Sequence, residues 1–262
     1  MRENRFLSQI KNGEKPVGIF TGMCSASMVE CLGYSGFDYV IIDNEHSPAE
    51  AETTAELVRA AEIVNITPFV RVREISRPAV LKLLDVGAQA IIVPNVNTLD
   101  DIDQLIGFTK YKPVGNRGFC NSRKDGWGFG LNKSVPDTMS YFNERVLLIP
   151  QCETVGALRC IEEIVARDGV DGIFVGPYDL SISMGIPGNF ENPEFQKAIK
   201  RVLYACAEQK KFCILFAGTE DAVIDGFKKG FDSMTYNLDA SLMIECFQER
   251  LGKLHSRIKK EI

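Results

Sequence analysis

The sequence lacks any apolar run long enough to cross a membrane. None of its unbroken apolar stretches reaches the ~18 residues that a membrane helix needs. The first residues, MRENRFLSQIKNGEK, are polar and lack the apolar core of a signal peptide. An excess of basic residues is also missing, because 30 Lys and Arg stand against 35 Asp and Glu among 262 residues. We therefore expect a cytoplasmic protein that binds small molecules or further copies of itself, and neither membrane nor nucleic acid.

Closely spaced cysteines and histidines are absent as well. The 8 cysteines include no CxxC pair, and the 2 histidines, His46 and His255, stand far apart, so no Cys/His metal cluster is predicted. A chain of this length buries an adequate core without disulfides. Most of the cysteines, such as Cys152 and Cys213, stand beside apolar residues. We interpret them as small buried side chains in a reducing compartment.

What the sequence does contain is eight short apolar runs that alternate with segments of helical spacing. The runs are residues 17–23, 38–43, 67–72, 90–96, 146–153, 172–177, 212–217 and 231–238. Several are unbroken Val, Ile and Phe stretches, which is typical of parallel strands covered on both faces. Eight such units are the number in a (β/α)₈ barrel, and no GxGxxG follows the first run, as an open dinucleotide-binding sheet would require. We therefore predict a single α/β domain over residues 1–262, a (β/α)₈ TIM barrel.

The helical spacing covers five intervals between these runs. They are 51–64, 79–86, 99–109, 155–167 and 193–209. Residues 113–146 fall outside the repeat, are rich in glycine, and form a connection of a length that is usually functional or disordered. At the end of the chain, apolar residues recur at three- and four-residue steps from Ile244 to Ile258. This pattern favours a helix packed against its own barrel over a subunit contact.

The polar residues that end the runs are the candidates for chemistry, because active sites of such barrels form at the carboxyl ends of the strands. Glu153 and Asp179 close consecutive strands, which lie about 4.8 Å apart in a sheet. Two carboxylates so close repel unless a cation lies between them, and carboxylate oxygens suit Mg²⁺ or Mn²⁺. The alternative is that one of them pairs with a lysine or caps a helix, as Asp179 could do.

His46 and Arg71 are the other two candidates. His46 directly follows the second run, with Asp43 three residues before it, and can serve as a base near neutral pH. The alternative is a loop histidine that caps the next helix. Arg71 lies inside the apolar run TPFVRV, where a charged group needs a partner. It either pairs with a neighbouring carboxylate or holds an anionic substrate.

Six segments together resemble the HpcH/HpaI aldolase family in order and spacing. They are GFDYVIIDNEHSP, TPFVRV, LKLLDVGAQAIIVPNVNT, QCETVGAL, GVDGIFVGPYDLSISMGIPGN and GFDSMTYNLDASLM. The resemblance implies a modified TIM barrel and a metal-dependent pyruvate aldolase, related to citrate lyase beta subunits and malyl-CoA lyases. It also implies a homohexamer that exchanges its last helix between neighbours. The reaction implied is cleavage of a 4-hydroxy-2-oxo acid to pyruvate and an aldehyde, through an enolate stabilised by Mg²⁺, Mn²⁺ or Co²⁺.

The resemblance also assigns roles to individual residues. Glu153 and Asp179 match the metal-binding carboxylates, and His46 matches the proton acceptor. Asp85 matches the aspartate that raises the basicity of this histidine, which leaves Asp43 as a supporting polar group. Arg71 matches the arginine that stabilises the enolate. Gln151 and Tyr178 match positions that contact substrate in the family, and Asp179 and Arg71 are assigned to substrate binding as well.

The chain departs from the family pattern at three positions. Cys120 stands where glycine is usual, Tyr178 where a small residue is frequent, and Asn237 where glycine or serine is common. We expect these changes to lie beside the aldehyde half of the substrate and to alter substrate identity rather than reaction type. Two alternatives stay open at this point, a malyl- or citramalyl-CoA-type lyase and a catalytically idle barrel that binds an oxo acid.

Overall fold

Eight parallel strands close a barrel in chain order, as the sequence predicts. The structure is a computed structural model that describes residues 3–131 and 133–262. Each strand pairs with the next, and the last pairs with the first. The strands are β1 (Val17–Thr21), β2 (Tyr39–Asp43), β3 (Thr67–Arg71), β4 (Ala90–Val93), β5 (Leu147–Cys152), β6 (Gly172–Val175), β7 (Phe212–Ala217) and β8 (Ser233–Leu238).

Twelve α-helices occur in the described part of the chain. They are α1 (Arg5–Lys11), α2 (Ala26–Tyr34), α3 (Ala51–Ile63), α4 (Arg77–Asp85), α5 (Leu99–Thr109), α6 (Val135–Arg145), α7 (Val155–Arg159), α8 (Ile161–Val165), α9 (Pro177–Ser183), α10 (Pro193–Glu208), α11 (Glu220–Lys229) and α12 (Asp239–Glu261). The helix predicted over 155–167 is interrupted at Cys160, which separates α7 from α8.

The segment 113–146 is more ordered than a plain loop. It contains a 3₁₀ turn at Arg123–Asp125 and the helix α6, although one of its residues, Asn132, lies outside the described residues. Ser134 caps α6 by accepting a hydrogen bond from the backbone N–H of Asp137, and a proline follows in the first turn, as at many helix starts. Helical spacing in this stretch is weak because α6 buries few residues.

Apolar side chains fill the inside of the barrel, and the N-terminal helix closes its lower end. Phe6 of α1 is fully buried and meets the rings of Phe69 and Phe212 edge-on, with centroids 4.9 and 5.3 Å away. The ring of Tyr39 occupies the space that a side chain at position 18 would need, since a Cβ on Gly18 would lie 2.2 Å from it. The lower end of the barrel interior is thus filled by packed side chains, and in barrels of this kind the active site lies at the upper end, where the strands finish.

The last helix begins on the barrel and then leaves it. Asp239, at the start of α12, is buried and accepts a hydrogen bond from the Thr21 hydroxyl at 2.5 Å. Beyond this first turn the apolar side chains are exposed; they are Ile244, Phe247, Leu251, Leu254 and Ile258. The prediction that this face packs against its own barrel is therefore wrong. The helix keeps its apolar stripe but extends past the barrel wall that would cover it.

Candidate active site

Asp43 and Arg71 lie side by side at the open end of the barrel, because they pair in the register of β2 and β3. The Nε and Nη2 atoms of Arg71 donate to the two carboxylate oxygens of Asp43 at 2.8 and 2.7 Å. The guanidinium also lies 4.7 Å from the centre of the Phe20 ring. Burial would lower the pKa of Arg71, but its bonds to Asp43 and the charge of nearby carboxylates raise it. The arginine is therefore a fixed cation.

Glu45 is a functional candidate that the sequence analysis did not single out. Its carboxylate lies 3.2 Å from Nη1 of Arg71 and 3.7 Å from Nε2 of His46. It also accepts a hydrogen bond from the side-chain amide of Asn95 at 3.1 Å. Its place between Asp43 and His46 in the segment DNEH was the available signal, because all these residues follow the same strand.

Glu153 is held at the end of β5 by two neighbouring groups. The backbone N–H of Asn95 donates to its Oε1 at 2.6 Å, and the side-chain amide of Gln151 donates to its Oε2. A Cβ at Gly176 would lie 2.9 Å from the Gln151 amide and 3.0 Å from Glu153, so only glycine leaves room for this pair. The Oε1 atom of Gln151 is buried and lacks a hydrogen-bond partner among the described residues.

Asp179 lies in the first turn of α9, beside the end of β6. It is exposed, forms no ion pair with a described residue, and makes no cap hydrogen bond to its helix. The predicted alternatives, a lysine pair or a helix cap, are therefore not what the structure shows for Asp179. Its negative charge acts instead on the neighbouring carboxylates Glu45 and Glu153.

The electrostatics at this end of the barrel favour a bound cation. Burial, together with the charges of Glu45 and Asp179, raises the pKa of Glu153 to about 7. Burial also raises the pKa of Glu45, although Arg71 and His46 act in the opposite direction. Carboxylates are thus crowded together beyond what Arg71 alone compensates, and a divalent cation would relieve this repulsion.

The donor set fits a hard divalent cation held by few protein atoms. Glu153 and Asp179 supply carboxylate oxygens at the mouth, and Gln151 adds the unpaired amide oxygen. Within residues 3–131 and 133–262, no group of three or more His, Cys, Asp or Glu side chains is arranged to hold a metal. Two carboxylates would therefore leave most of the coordination sphere to water and substrate, as a catalytic metal site requires.

His46 borders the same cavity as Arg71. The cavity has a volume of about 150 Å³, and its walls include Phe20, His46, Arg71, Gln151, Phe174, Tyr178, Asp179 and Phe216. The imidazole is 69% exposed, so it is free to reorient towards a ligand. Its backbone N–H points at Asp43, 3.4 Å from Oδ1. The structure thus brings His46, Arg71, Gln151, Tyr178 and Asp179 around one space.

Asp85 is the predicted residue that this cavity does not contain. It is the last residue of α4, at the lower end of the barrel, where the chain enters β4. There its carboxylate accepts a hydrogen bond from Arg117 at 2.9 Å and lies 3.8 Å from Lys124. Within one chain Asp85 and His46 are at opposite ends of the barrel, because α4 runs down its outside.

The three departures from the family pattern are also separated. Tyr178 borders the cavity, and the amide of Asn237 donates to the Gly218 carbonyl at 3.3 Å, near the upper end of β7. Cys120 lies instead at the lower end, where its carbonyl accepts a hydrogen bond from the buried Lys124. The expectation that all three border the aldehyde half of the substrate therefore does not hold for Cys120 within one chain.

Two sequence expectations outside the site can also be followed. All 8 cysteines are free thiols. Cys152, Cys206 and Cys213 are buried, but Cys31, Cys120 and Cys246 are exposed, so the prediction that most of the cysteines are buried is wrong. No helix in the described residues combines the length and apolar character needed to span a membrane.

Comparison with known proteins shows which family this chain is similar to. A family model for HpcH/HpaI aldolase/citrate lyase matches residues 17–244. A 2-keto-3-deoxy-L-rhamnonate aldolase of Escherichia coli O157:H7 is 31% identical over 263 residues, which cover 98% of this chain and 97% of the relative. Relatives named as aldolases, matched over nearly their whole length, support the prediction of a carbon–carbon lyase.

Solved structures extend the agreement to three dimensions. A HpcH/HpaI aldolase/citrate lyase family protein from Burkholderia cenocepacia J2315 superposes with a TM-score of 0.88 at 28% identity, covering 96% of this chain and 99% of that one. Citrate synthase SbnG superposes with a TM-score of 0.86 at 26% identity, covering 96% and 98%. Sequence, fold and relatives together show that the chain belongs to the HpcH/HpaI aldolase/citrate lyase family.

Proposed function

We propose that the cavity at the upper end of the barrel cleaves a 4-hydroxy-2-oxo acid to pyruvate and an aldehyde. The observation that carries this proposal is one cavity bordered by a fixed cation, Arg71, an exposed imidazole, His46, and the carboxylate of Asp179. A second carboxylate, Glu153, lies beside the wall residue Gln151 and under the charge of Asp179. Cleavage of such an acid needs a base at the 4-hydroxyl and positive charge at the 2-oxo oxygen, where negative charge develops. The named aldolase relatives support the same reaction.

Glu153 and Asp179 would hold the divalent cation, Mg²⁺, Mn²⁺ or Co²⁺. When bound, the cation supplies Lewis-acid stabilisation of the negative charge on the pyruvate fragment. Arg71 would present its guanidinium to the 2-oxo oxygen of the substrate, and the bidentate bond to Asp43 keeps the guanidinium from rotating away. Because the guanidinium is already oriented before the substrate binds, it needs little reorganisation during the reaction.

His46 would accept the proton from the 4-hydroxyl of the substrate. Its exposed imidazole can approach a ligand in the cavity, and Glu45 lies 3.7 Å from its Nε2 atom. The role that the family resemblance gives to Asp85 needs Asp85 of a second copy of the chain, because within one chain the two residues are at opposite ends of the barrel. We include that arrangement in the proposal.

A homohexamer is the assembly we propose, with α12 as the exchanged element. Five apolar side chains of this helix are exposed in the single chain, and burying them against a neighbour would stabilise an oligomer.

A reducing cytoplasm is the compartment we propose, in keeping with the free thiols of all 8 cysteines.

The proposed reaction is tested by measuring pyruvate release from a panel of 4-hydroxy-2-oxo acids that includes 2-keto-3-deoxy-L-rhamnonate. We expect turnover with at least one of them, loss of it in EDTA, and recovery with Mg²⁺, Mn²⁺ or Co²⁺. Glu153→Gln should weaken metal activation, while Glu50→Gln should leave it unchanged, since Glu50 is an exposed carboxylate paired with Arg73.

Three results would contradict the proposal. Turnover that survives complete removal of metal would exclude the role of Glu153 and Asp179. Cleavage of malyl- or citramalyl-CoA in place of the oxo acids would favour the CoA-lyase alternative. Ligand-induced thermal stabilisation without turnover of any substrate would favour a catalytically idle barrel.

A further inference from the structure

A second cavity adjoins the catalytic one and is more than twice as large. Its volume is about 340 Å³, against about 150 Å³ for the cavity that contains Arg71. The two cavities share three wall residues, Pro177, Tyr178 and Phe216. The second cavity extends from this shared wall outwards, between the strand β7 and the helices α10 and α11. We call it the lateral groove.

The lateral groove exists because the helices do not fully cover β7. Side chains alternate along a strand, so Phe216 faces the inside of the barrel while Leu215 faces the helices. Leu215 is only partly buried, whereas Ile173 and Val175, at the outer face of the neighbouring strand β6, are fully covered. Space for a ligand therefore remains at this one strand, directly behind the catalytic cavity.

Tyr178 forms the boundary between the two spaces. Its ring meets Phe190 edge-on with centroids 5.1 Å apart, and it lies 6.1 Å from Phe216 on the other side. Tyr178 is 51% exposed, so its ring separates the two cavities only in part. A substrate chain can therefore pass over the ring from one cavity into the other. Asp179, which also lines the catalytic cavity and is one of the two proposed metal ligands, is the next residue along the chain. A ligand anchored at Asp179 is thus within reach of the groove.

The walls of the lateral groove are mostly apolar. The aromatic and aliphatic members are Tyr178, Phe190, Phe195, Ile199, Leu215 and Phe216. Of the charged residues in its lining, Glu191 and Asp225 are negative and Lys229 is positive. Among the described residues that line the catalytic cavity, Arg71 is the one Lys or Arg side chain, and it is already paired with Asp43 and Glu45. A carboxylate or phosphate on the far end of a substrate would therefore find no surplus of positive charge here.

We propose that the lateral groove binds the distal hydrocarbon part of the aldehyde product, and hence that this aldolase prefers uncharged apolar aldehydes. The proposal rests on the proposed function, because the groove becomes a substrate subsite only if pyruvate and an aldehyde react in the adjoining cavity. Tyr178 is then a specificity-determining residue, and the hydrocarbon chain lies against its ring. Each methylene buried in the groove favours the longer aldehyde roughly fourfold.

Aldol addition to pyruvate tests this preference directly. The rate of pyruvate consumption is measured with the metal-loaded full chain and propanal, hexanal or succinate semialdehyde. The variant Ala222→Trp fills the groove from α11, where Ala222 is exposed and lines it. The control Ile224→Trp puts the same side chain on the same helix outside the groove, at an exposed residue that does not line it.

For the unmodified chain we expect kcat/KM for hexanal to exceed that for propanal about tenfold or more, and succinate semialdehyde to be a poor substrate. Ala222→Trp should remove most of the hexanal advantage and leave propanal within about twofold, and Ile224→Trp should change neither. Circular dichroism and mass in solution confirm that both variants keep fold and assembly.

Several results overturn the proposal. Hexanal no better than propanal, or an equal loss for both aldehydes in Ala222→Trp, would show that the groove takes no part in substrate binding. A changed mass in solution for Ala222→Trp would show that a second copy of the chain covers the groove. In each of these cases the unmodified chain still consumes pyruvate with propanal, whereas its failure to consume pyruvate with any aldehyde overturns the proposed function and the subsite together.

Discussion

Arg71 and Asp43 form a bidentate ion pair across the upper ends of two neighbouring strands. The donor–acceptor distances are 2.8 and 2.7 Å, and both side chains are nearly buried. A third nitrogen of the same guanidinium lies 3.2 Å from Glu45. Because the arginine is held through all of its nitrogens and by the Phe20 ring, it has one orientation before any substrate binds. This makes Arg71 the most informative residue to change.

Replacing Arg71 by Ala should lower kcat for pyruvate release by about 10²–10³-fold, which corresponds to a lost transition-state contact of ~3–4 kcal/mol. Lys at this position should restore only part of the rate, since an ammonium group cannot make the bidentate bond to Asp43. The matched control is Arg73→Ala, two residues further along the chain, which removes an exposed ion pair between Arg73 and Glu50. A near-wild-type rate for Arg71→Ala would assign the charge-stabilising role to another group.

Asn95 links two of the carboxylates, and we expect its side chain to matter for catalysis. The residue has a left-handed backbone with a φ of 58°, so Asn95→Gly keeps the conformation and the N–H that binds Glu153. Only the amide bond to Glu45 is lost. A hydrogen bond to a charged group contributes about 1.5 kcal/mol, so kcat/KM should fall about tenfold.

Titration of activity with metal should show nearly unchanged metal affinity in Asn95→Gly, because the contact to Glu153 stays. The control is Asn65→Gly, at an exposed turn with the same φ of 58° and no contact with the site. If both glycine variants have the same activity, the Asn95–Glu45 bond does not position the site.

Asp125 should make the stability of the fold depend on pH. Burial alone would raise the pKa of its carboxyl, but N–H donors from Ser122 and Gly128 and the charge of Lys124 lower it. A carboxyl with a lowered folded-state pKa stabilises the fold above its unfolded pKa, and this contribution is lost as the pH falls through the folded pKa. The stabilisation is therefore complete at neutral pH.

Asp125→Asn should lower the free energy of unfolding at pH 7 by about 3 kcal/mol, since the buried Lys124 loses its nearer charge partner and keeps only Asp85 at 3.8 Å. Urea unfolding at several pH values should show the difference shrinking below about pH 4. Asp103→Asn is the control, because the exposed pair with Arg167 contributes little at any pH. If Asp125→Asn lowers the free energy of unfolding by the same amount at neutral pH and at about pH 2.5, the loss results from packing rather than from charge.

The exposed face of α12 should determine the assembly. Changing Phe247, Leu251 and Leu254 to Glu leaves the anchoring contact of Asp239 in place but puts charges on the apolar stripe. We expect the molecular mass in solution to fall from that of an oligomer towards that of a single chain. A triple variant of unchanged mass would show that α12 takes no part in the subunit contact. Changing the exposed Lys253, Arg257 and Lys259 to Glu gives the matched control.

Much of the fold can be predicted from the sequence because each strand is a local pattern. The mainly apolar runs mark β1 to β8 to within a few residues, since strands covered on both faces are built chiefly from apolar side chains. The strand ends then predict Glu153, Asp179, His46 and Arg71, because parallel strands finish at the same end of the barrel. The surface that packs against the apolar face of α12 could not be predicted in this way, because an apolar stripe does not specify its partner.

Other parts of the site depend on how separate loops meet. The contact between Glu45 and Asn95 joins residues 50 positions apart, and it forms because the loops after β2 and β4 bend over the same opening. For Asp85 the sequence predicts a contact that one chain does not make. Its segment matches the family, but Asp85 ends α4 at the opposite end of the barrel from His46.

The sequence by itself therefore determined the eight-stranded barrel and the residue types at its upper end, because both follow from short-range periodicity and from the direction of the strands. Only the tertiary structure decided which of those side chains touch, how Arg71 is held, and that a large apolar groove opens behind Tyr178. Contacts and cavities of this kind result from the packing of distant segments, whose distances no local pattern encodes.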